Sequence, residues 1–256
     1  MKAADFVTIY TSFNDIDVVA RILPTVLEDA ERTETAVIVH DCSTSNVERT
    51  WNWYREQAET KNFFYLLSRQ MPFAIARNMC LSLAIEMYAP QYICMLEDDH
   101  GYEPGAIDKL RAAMAENYGV KSPNGLRYGL FSLCPNCWGE GFRRACNEDG
   151  KGHLYPSAQC PPMQLGGANS CCRAAPTSHW VSVLKGYDPD EYAISFYQTR
   201  NLNFRNYNRG FTTLYVGNGR LVRREMRPGL GVQTLGRRFD DNFTASDRRS
   251  AVGHRK

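Results

Sequence analysis

No stretch of this chain is apolar for long enough to cross a bilayer, and the N-terminal MKAADFVTIY lacks the apolar core of a signal peptide. Internal repeats and low-complexity tracts are also absent, which argues against a repeat architecture. A strong charge of one sign is missing too, because the net charge is only +2 over 256 residues. We therefore expect a globular, cytoplasmic protein without a membrane span, large enough to bury a proper core.

Disulfides are not expected, although the chain contains nine cysteines. Cys42, Cys80 and Cys94 lie in apolar patterns typical of small buried side chains. The other six lie between residues 134 and 172, where Cys134-Pro-Asn-Cys137 could form part of a structural zinc site. The later spacings do not repeat the CxxC pattern, so reduced thiols in a compact loop are the favoured interpretation.

The charge is unevenly distributed along the chain. Residues 220–256 contain ten Lys and Arg against four Asp and Glu, whereas residues 1–219 contain twenty against twenty-four. A basic tail could bind an anionic partner such as an acidic glycan, a membrane surface or nucleic acid. A solvated tail is the simpler interpretation, and nucleic acid is not favoured. We predict one domain over residues 1–219, followed by a basic tail over 220–256.

Strand-like and helix-like segments alternate along the first half of the chain. Strands are predicted at residues 6–12, 36–40, 63–67, 92–96 and 128–133, and helices at 16–32, 45–58, 78–88 and 105–118. Pro24 is expected to kink or divide the first helix. Residues 134–170 are rich in Gly, Pro and Cys and predict a long loop, after which periodic structure resumes at 174–185 and 191–207. This order predicts βαβ units and an α/β fold with a mainly parallel sheet.

The most informative stretch is YICMLEDD at residues 92–99. A buried strand here delivers Glu97, Asp98 and Asp99 to its carboxyl end, which is where open α/β sheets bind ligands. The three carboxylates repel one another unless a cation compensates them. Mn²⁺ and Mg²⁺ are commonly held by one or two carboxylates together with substrate phosphates. The stretch therefore predicts a metal–diphosphate site, with a solvated acidic turn as the alternative.

Other polar residues fall at the ends of neighbouring predicted strands. Thr11 and Asn14 follow the first strand, Asp41 begins a DCST turn after the second, and Arg77 precedes the fourth. In a parallel sheet these ends share one edge. A nucleoside diphosphate requires such a mixture, because carboxylates and amides bind the base and ribose while Arg binds phosphate oxygens.

These motifs resemble those of family 2 of the GT-A glycosyltransferases. The matching segments are Thr11 with Asn14, DCST at 41–44, ARN at 76–78 and EDD at 97–99, which is a variant of the DxD motif. The resemblance covers residues 5–118 well and 165–217 more loosely. It implies a GT-A (Rossmann-like) fold, a mixed and mainly parallel sheet flanked by helices, with residues 134–170 as an irregular loop insertion.

The resemblance also implies roles for individual residues. Thr11 and Asp41 would contact the nucleotide base, with Asn14 beside them, and Arg77 would contact the base or the diphosphate. Asp98 would hold the ribose. Asp99 would bind Mn²⁺ or Mg²⁺ directly, with Glu97 behind it as an outer or water-mediated ligand.

The general base for the acceptor hydroxyl is the weakest part of the resemblance. Residues 186–191, GYDPDE, resemble the GGFDE element, but the acidic pair expected afterwards falls at Gln198-Thr199, and neither residue is a base at neutral pH. Asp190 or Glu191 could act as the general base instead, and so could acidic residues of the loop. The loop candidates are Glu140, Glu148 and Asp149. The enzyme could instead retain anomeric configuration and need no such base, or the chain could have lost activity.

The predicted function is transfer of a sugar from a nucleotide-diphosphate donor, a UDP-sugar in the first instance, to a hydroxyl acceptor such as a glycan, an anionic one included. Residues 5–118 would bind the donor. Residues 119–219 would bind the acceptor, with the loop 134–170 as a lid. A sugar-1-phosphate nucleotidyltransferase is a rival hypothesis, but it would begin with a Gly-rich loop that this chain lacks. A non-catalytic nucleic-acid- or glycan-binding module is a second rival.

Overall fold

The structure, a computed structural model, describes residues 4–68, 71–133, 146–160, 165–166, 172–188, 195–217 and 221–223. The strands are β1 Phe6–Ser12, β2 Ala36–Asp41, β3 Phe64–Leu67, β4 Tyr92–Glu97, β5 His100–Tyr102, β6 Arg127–Leu133, β7 Cys146–Glu148, β8 Leu154–Pro156, β9 Cys172–Pro176, β10 Phe211–Val216 and β11 Leu221–Arg223. The helices are α1 Ile16–Arg32, α2 Val47–Thr60, α3 Phe73–Tyr88, α4 Ala106–Asn117, α5 Thr177–His179 and α6 Ser195–Asn208, with a π-helical turn, Trp180–Leu184, directly after α5.

A nine-stranded mixed sheet, ordered β3-β2-β1-β4-β9-β6-β10-β8-β7, forms the centre of the molecule. Strands β1 to β4 run parallel to one another, and β6 runs parallel to β10. Between these two groups β9 lies antiparallel to both β4 and β6. The predicted α/β class and the mixed, mainly parallel sheet flanked by helices are therefore confirmed.

Two apolar cores cover the two faces of the sheet. Alternate residues of each strand point to opposite faces, so Phe6 and Tyr10 of β1 pack against α1 and α4, while Val7 and Ile9 pack on the side of α3. The α3 side also contains Trp180, whose indole N–H donates to the Ile93 carbonyl at 3.0 Å. Both faces being buried explains why the central strands are continuous apolar runs.

Helix α1 is continuous from Ile16 to Arg32, and Pro24 lies inside it without dividing it. Its buried Asp29 reaches across to the start of α4, where its carboxylate accepts the N–H groups of Gly105 at 2.8 Å and Ile107 at 2.9 Å. The first N–H groups of a helix have no partner within the helix, so this carboxylate caps α4 from a distance.

The predicted start of one helix is wrong. Helix α3 begins at Phe73, five residues before the predicted start at residue 78, so Arg77 lies in its second turn and not at its opening. The periodic segment predicted over 174–185 contains the end of strand β9, and it is helical from Thr177 onward. Pro72 at the N-cap of α3 and Pro176 at the end of β9 mark the true boundaries.

No helix within the described residues is both long and apolar enough to span a membrane. The cytoplasmic location stays a prediction. Residues 221–223 of the predicted tail form β11, which pairs antiparallel with β5 and sets Arg223 opposite His100. The remaining residues of the tail, and most of the loop 134–170, lie outside the described residues. From that loop, β7 and β8 form a hairpin at the edge of the sheet.

Candidate active site

The carboxyl ends of β1, β2 and β4 meet at one edge of the sheet, as the sequence predicts for parallel strands. Thr11 of β1 lies opposite Glu97 of β4, and Ser12 lies opposite Asp41 of β2. Arg77 reaches the same edge from α3. The sheet register thus brings together the predicted nucleotide and metal residues, and their functional roles stay predictions.

Arg77 is completely buried, yet its guanidinium points to the edge of the sheet. Its Nη2 donates to the Thr11 hydroxyl at 3.2 Å and lies 3.6 Å from Glu97 Oε1. Its Nη1 donates to the Tyr187 hydroxyl at 3.0 Å. A buried cation is tolerated only when it is paired and hydrogen-bonded, and these contacts also fix its direction.

Asp41 is buried at the end of β2 and already has two donors. Its Oδ1 accepts the Ser43 N–H at 2.8 Å, and its Oδ2 accepts the Tyr54 hydroxyl at 3.2 Å. An ionised carboxylate offers about four lone-pair positions, so it can accept further hydrogen bonds from a ligand. These contacts hold Asp41 rigidly where a base-recognition residue is predicted.

Asn14 joins the loop after β1 to the loop after β2. Its Oδ1 accepts the N–H groups of Thr44 at 2.7 Å and Ser45 at 2.9 Å, while its own N–H donates to the Ser43 hydroxyl at 2.7 Å. Its φ of 56° is in the left-handed region, which Asn tolerates better than most residues. Asn14 thus stabilises the loops at the carboxyl ends of β1 and β2.

The acidic cluster, Glu97 to Asp99, lies at the carboxyl end of β4 and is partly exposed. Asp98 is held from the β1 side: its Oδ2 accepts the Phe13 N–H at 3.1 Å, and its carbonyl accepts the Tyr10 hydroxyl at 2.6 Å. Burial raises the pKa of Asp98 to about 8, and the neighbouring charge of Asp99 contributes in the same direction. A cation at this cluster would favour the ionised carboxylate.

Asp99 contacts the buried His100 through its Oδ1 and the imidazole Nδ1. The Asp99 side chain is 32% exposed, so a ligand can reach it from solvent. An imidazole that binds one carboxylate oxygen orients the other, as partners of metal ligands commonly do. His100 is itself held on β5, next to β11.

The donor atoms of this cluster fit the predicted cation. Glu97, Asp98 and Asp99 offer only carboxylate oxygens, which are the ligands that Mg²⁺ and Mn²⁺ prefer. Within the described ranges, no group of three His, Cys, Asp or Glu side chains is arranged to hold a metal ion. A cation bound mainly by substrate phosphates and water requires just one or two carboxylates from the protein.

Comparison with known proteins identifies the architecture. No protein-family model matches the sequence, and no curated protein matches it. The mannosyltransferase PcManGT from Pyrobaculum calidifontis, in complex with GDP-Man and Mn²⁺, matches with a TM-score of 0.63 at 12% identity over 99% of this chain and 69% of that chain. The chain has the GT-A fold. S. aureus TarS 1-349 in complex with UDP-GlcNAc matches with a TM-score of 0.57 at 12% identity, over 97% of this chain and 71% of that chain.

A third GT-A structure, GalNAc-T7 with UDP, GalNAc and Mn²⁺, has a TM-score of 0.61 at 9% identity. The match covers 98% of this chain. This chain spans 50% of the length of the GalNAc-T7 chain. Within the GT-A fold, the edge that carries Arg77 and the acidic cluster is the carboxyl edge of the N-terminal parallel strands.

The candidate general bases differ in whether the structure describes them and in where they lie. Asp190, Glu191 and Glu140 lie outside the described residues. Glu148 ends β7 at the far edge of the sheet, five strands from β4, or roughly 24 Å at the usual strand spacing. Asp149 accepts the N–H groups of Lys151 at 2.9 Å and His153 at 3.0 Å, so it stabilises the turn between β7 and β8.

The cysteine prediction falls only partly on described residues, because Cys134, Cys137 and Cys171 lie outside them. Cys42, Cys80 and Cys94 are buried or half-buried, as expected. Cys172 faces Cys94 across the β4–β9 pair, with the two sulfurs 3.7 Å apart. The zinc hypothesis stays untested.

Sequence reasoning missed Arg173 and did not assign Tyr187 a role. Both are buried beside Arg77, and both Arg side chains donate to the Tyr187 hydroxyl. A signal was available, since Arg173 is the single charged residue in the otherwise apolar strand CRAAP. A charge in such a strand indicates a buried ionic contact.

Proposed function

We propose that this chain is a metal-dependent glycosyltransferase that moves a hexose from a nucleoside diphosphate donor to a hydroxyl acceptor. The observation that carries the proposal is the position of Arg77, which donates to Thr11 and approaches Glu97 at the sheet edge beside Asp98 and Asp99. A fixed guanidinium next to a carboxylate cluster suits a diphosphate bridged by a divalent cation. The GT-A fold supports the same conclusion.

The nucleoside is proposed to lie over the ends of β1 and β2. Asp41 has remaining lone pairs for N–H groups of the base, and Thr11 offers its hydroxyl beside it. Asp98 uses Oδ2 for the Phe13 N–H, which leaves Oδ1 for ribose hydroxyls. Asn14 holds the connecting loops together. UDP is the proposed nucleotide, and GDP is the alternative to test, because the matching structures include complexes with each.

Asp99 is the proposed ligand of Mn²⁺ or Mg²⁺, with Glu97 behind it through water. When bound, the cation would supply Lewis-acid stabilisation of the departing diphosphate. Arg77 adds fixed N–H donors to the phosphate oxygens, and its burial makes its positive charge more effective than it would be in water. His100 orients the Asp99 carboxylate.

The acceptor is proposed to be a glycan or another hydroxyl compound, and the basic residues after position 219 make an anionic acceptor suitable. Asp190 and Glu191 remain the proposed bases, since they follow Tyr187 closely along the chain. A base must approach within hydrogen-bond reach of the acceptor hydroxyl, so a Glu191→Gln variant that transfers sugar normally would remove that residue from consideration.

Metal-dependent donor hydrolysis tests the proposal. Full-length protein is incubated with a panel of UDP- and GDP-sugars, with and without Mn²⁺, and release of the nucleoside diphosphate is measured. We expect release with at least one donor, and its loss in Asp99→Asn. Glu116→Gln is the matched control, because Glu116 is an exposed carboxylate on α4.

Two results would count against a glycosyltransferase. Nucleotide binding without turnover under all metals would favour a binding module. Release of pyrophosphate from a nucleoside triphosphate and a sugar 1-phosphate would favour the nucleotidyltransferase.

A further inference from the structure

Two buried arginines share a single phenol oxygen on the α3 side of the sheet. Arg77 Nη1 donates to the Tyr187 hydroxyl at 3.0 Å, and Arg173 Nη1 donates to the same oxygen at 3.2 Å. Both arginines are 0% exposed and Tyr187 is 1% exposed. The Tyr187 ring also lies under the Arg77 guanidinium, 5.4 Å from centroid to Cζ. The three side chains therefore form one packed unit.

The burial of the Arg173 side chain at its position is energetically unfavourable. It sits on β9 opposite Met95, one residue from the end of the β4 pairing, between apolar neighbours. In the described part of the chain, its Nε and Nη2 have no hydrogen-bond partner. Burying an incompletely paired cation is unfavourable, so its position requires a compensating role.

We propose that Tyr187 and Arg173 are positioning residues for the donor: Arg173 fixes the Tyr187 oxygen, which fixes Arg77 against Thr11 and Glu97. In addition, Arg173 contributes a second positive charge behind the oxyanions of a nucleoside diphosphate. This inference rests on the proposed function, and it concerns the donor half of the site only.

The geometry explains why the phenol is needed. Without its oxygen, Nη1 of both arginines would lose an acceptor inside the protein, and Arg77 could rotate away from Thr11. Burial alone would raise the pKa of Tyr187, but the charges and hydrogen bonds of Arg77 and Arg173 outweigh it and lower that pKa below its usual value. The two guanidiniums that donate to this oxygen thus also favour its ionised form.

Tyr187→Phe removes this single oxygen and keeps the ring. We expect the dissociation constant of UDP or GDP, measured by calorimetry with Mn²⁺, to rise about tenfold, as for loss of a hydrogen bond to a charged group. Tyr128→Phe is the matched control, because the Tyr128 hydroxyl is buried and has no partner among the described residues. It should bind nucleotide like the wild-type protein.

A double-mutant cycle separates positioning from general loosening of the fold. In an Arg77→Lys background, Tyr187→Phe should weaken nucleotide binding by much less than tenfold, because the residue through which it acts has changed. Equal affinity of Tyr187→Phe and wild type would overturn the inference. So would a full tenfold effect in the Arg77→Lys background.

Arg173 is tested with Arg173→Met, which removes the charge at similar volume, and with Arg173→Lys, which keeps it. The expected order of nucleotide affinity is wild type, then Lys, then Met. The tyrosinate absorbance of Tyr187 is the difference between a protein and the same protein with Tyr187→Phe. In both Arg173 variants this absorbance should titrate at higher pH than in the wild type. This readout requires no ligand. Should the Met variant not fold, the Lys variant decides the question on both readouts.

Failure of the proposed function is recognisable separately. If wild-type protein binds no nucleoside diphosphate with any divalent metal, the proposed function fails and the donor role of Tyr187 fails with it. If the wild type binds but Tyr187→Phe binds equally well, only the inference fails.

Discussion

The Asn14 side chain and Thr44 hold two site loops together through paired contacts: Asn14 Oδ1 accepts the Thr44 N–H at 2.7 Å, and Asn14 Nδ2 donates to the Thr44 hydroxyl at 3.2 Å. One loop follows β1 and the other follows β2, so the relative position of the two loops depends on this bridge. The same amide oxygen accepts the Ser45 N–H just before α2. Asn14 therefore does for this loop what an N-cap residue does for a helix.

Replacing Asn14 separates its backbone role from its side-chain role. Asn14→Gly removes the side-chain amide, but glycine tolerates the left-handed φ. Asn14→Ala removes the amide and also places a residue with a Cβ in that strained conformation. We expect both variants to weaken nucleotide binding several-fold, and Ala to be about 1 kcal/mol less stable than Gly because of the strained backbone. Urea denaturation and nucleotide calorimetry measure the two effects. Equal stability of the Ala and Gly variants would contradict the backbone explanation.

Asp29 should be one of the most sensitive positions outside the site. Its carboxylate accepts two N–H groups at the start of α4, and Asp29→Ala would leave both without a partner in a buried place. We expect a loss of about 2–3 kcal/mol in the free energy of unfolding. Asp108→Ala, which removes an exposed partner of Arg32, should cost much less. Similar losses in the two variants would argue against the capping role.

His179 gives the fold a pH dependence that is independent of the site. It is buried between Tyr118 and Asn206, and burial lowers its pKa to about 4. A histidine whose pKa is lowered on folding stabilises the protein above its unfolded pKa of about 6.5 and loses that contribution as the pH falls. We expect a loss of up to about 3 kcal/mol between pH 6.5 and pH 4.

The measurement for His179 is the melting temperature of wild type and of His179→Gln between pH 7.5 and pH 5. The wild-type curve should fall more steeply than that of the variant. His153→Gln, which changes a half-buried histidine near the β7–β8 turn, is the control substitution. Parallel curves for wild type and His179→Gln would show that another group dominates.

Gly166 should be intolerant of a side chain for a packing reason. A Cβ there would lie 2.1 Å from the Asn203 carbonyl and 2.7 Å from the Tyr207 Cβ, both on α6. We expect Gly166→Ala to lower stability by about 1–3 kcal/mol, as other overpacked sites do. A variant with unchanged melting temperature but altered acceptor KM would point to a ligand contact instead.

The sequence predicted the N-terminal half of this fold well because its strands are buried on both faces and appear as unbroken apolar runs. Strands β1, β2, β3 and β4 fall within one residue of their predicted bounds. Their shared carboxyl edge followed from the βαβ order alone. The convergence of Thr11, Asp41, Arg77 and the acidic cluster was therefore predictable.

The C-terminal half was less predictable because its contacts are set by tertiary pairing. Strands β5 and β11 contain three residues each and pair across most of the second half of the chain, a contact that no local pattern indicates. The contact between Arg173 and Tyr187 depends on the β4–β9 register and on the turn after Trp180. The sequence shows an Arg and a Tyr at these positions, but no local pattern indicates that the two side chains are in contact.

The central place of β9 governs the order in which the molecule can be assembled. During synthesis β4 emerges with one side paired to β1, but its other side remains an open edge until residue 172 and its neighbours have been made. Unpaired strand edges are sites of misassociation, and long-range pairings form late. A nascent chain that stops before β9 therefore exposes one edge of the buried strand β4, and it also lacks Arg173. The same strand thus covers the edge of β4 and supplies Arg173 to the proposed donor site.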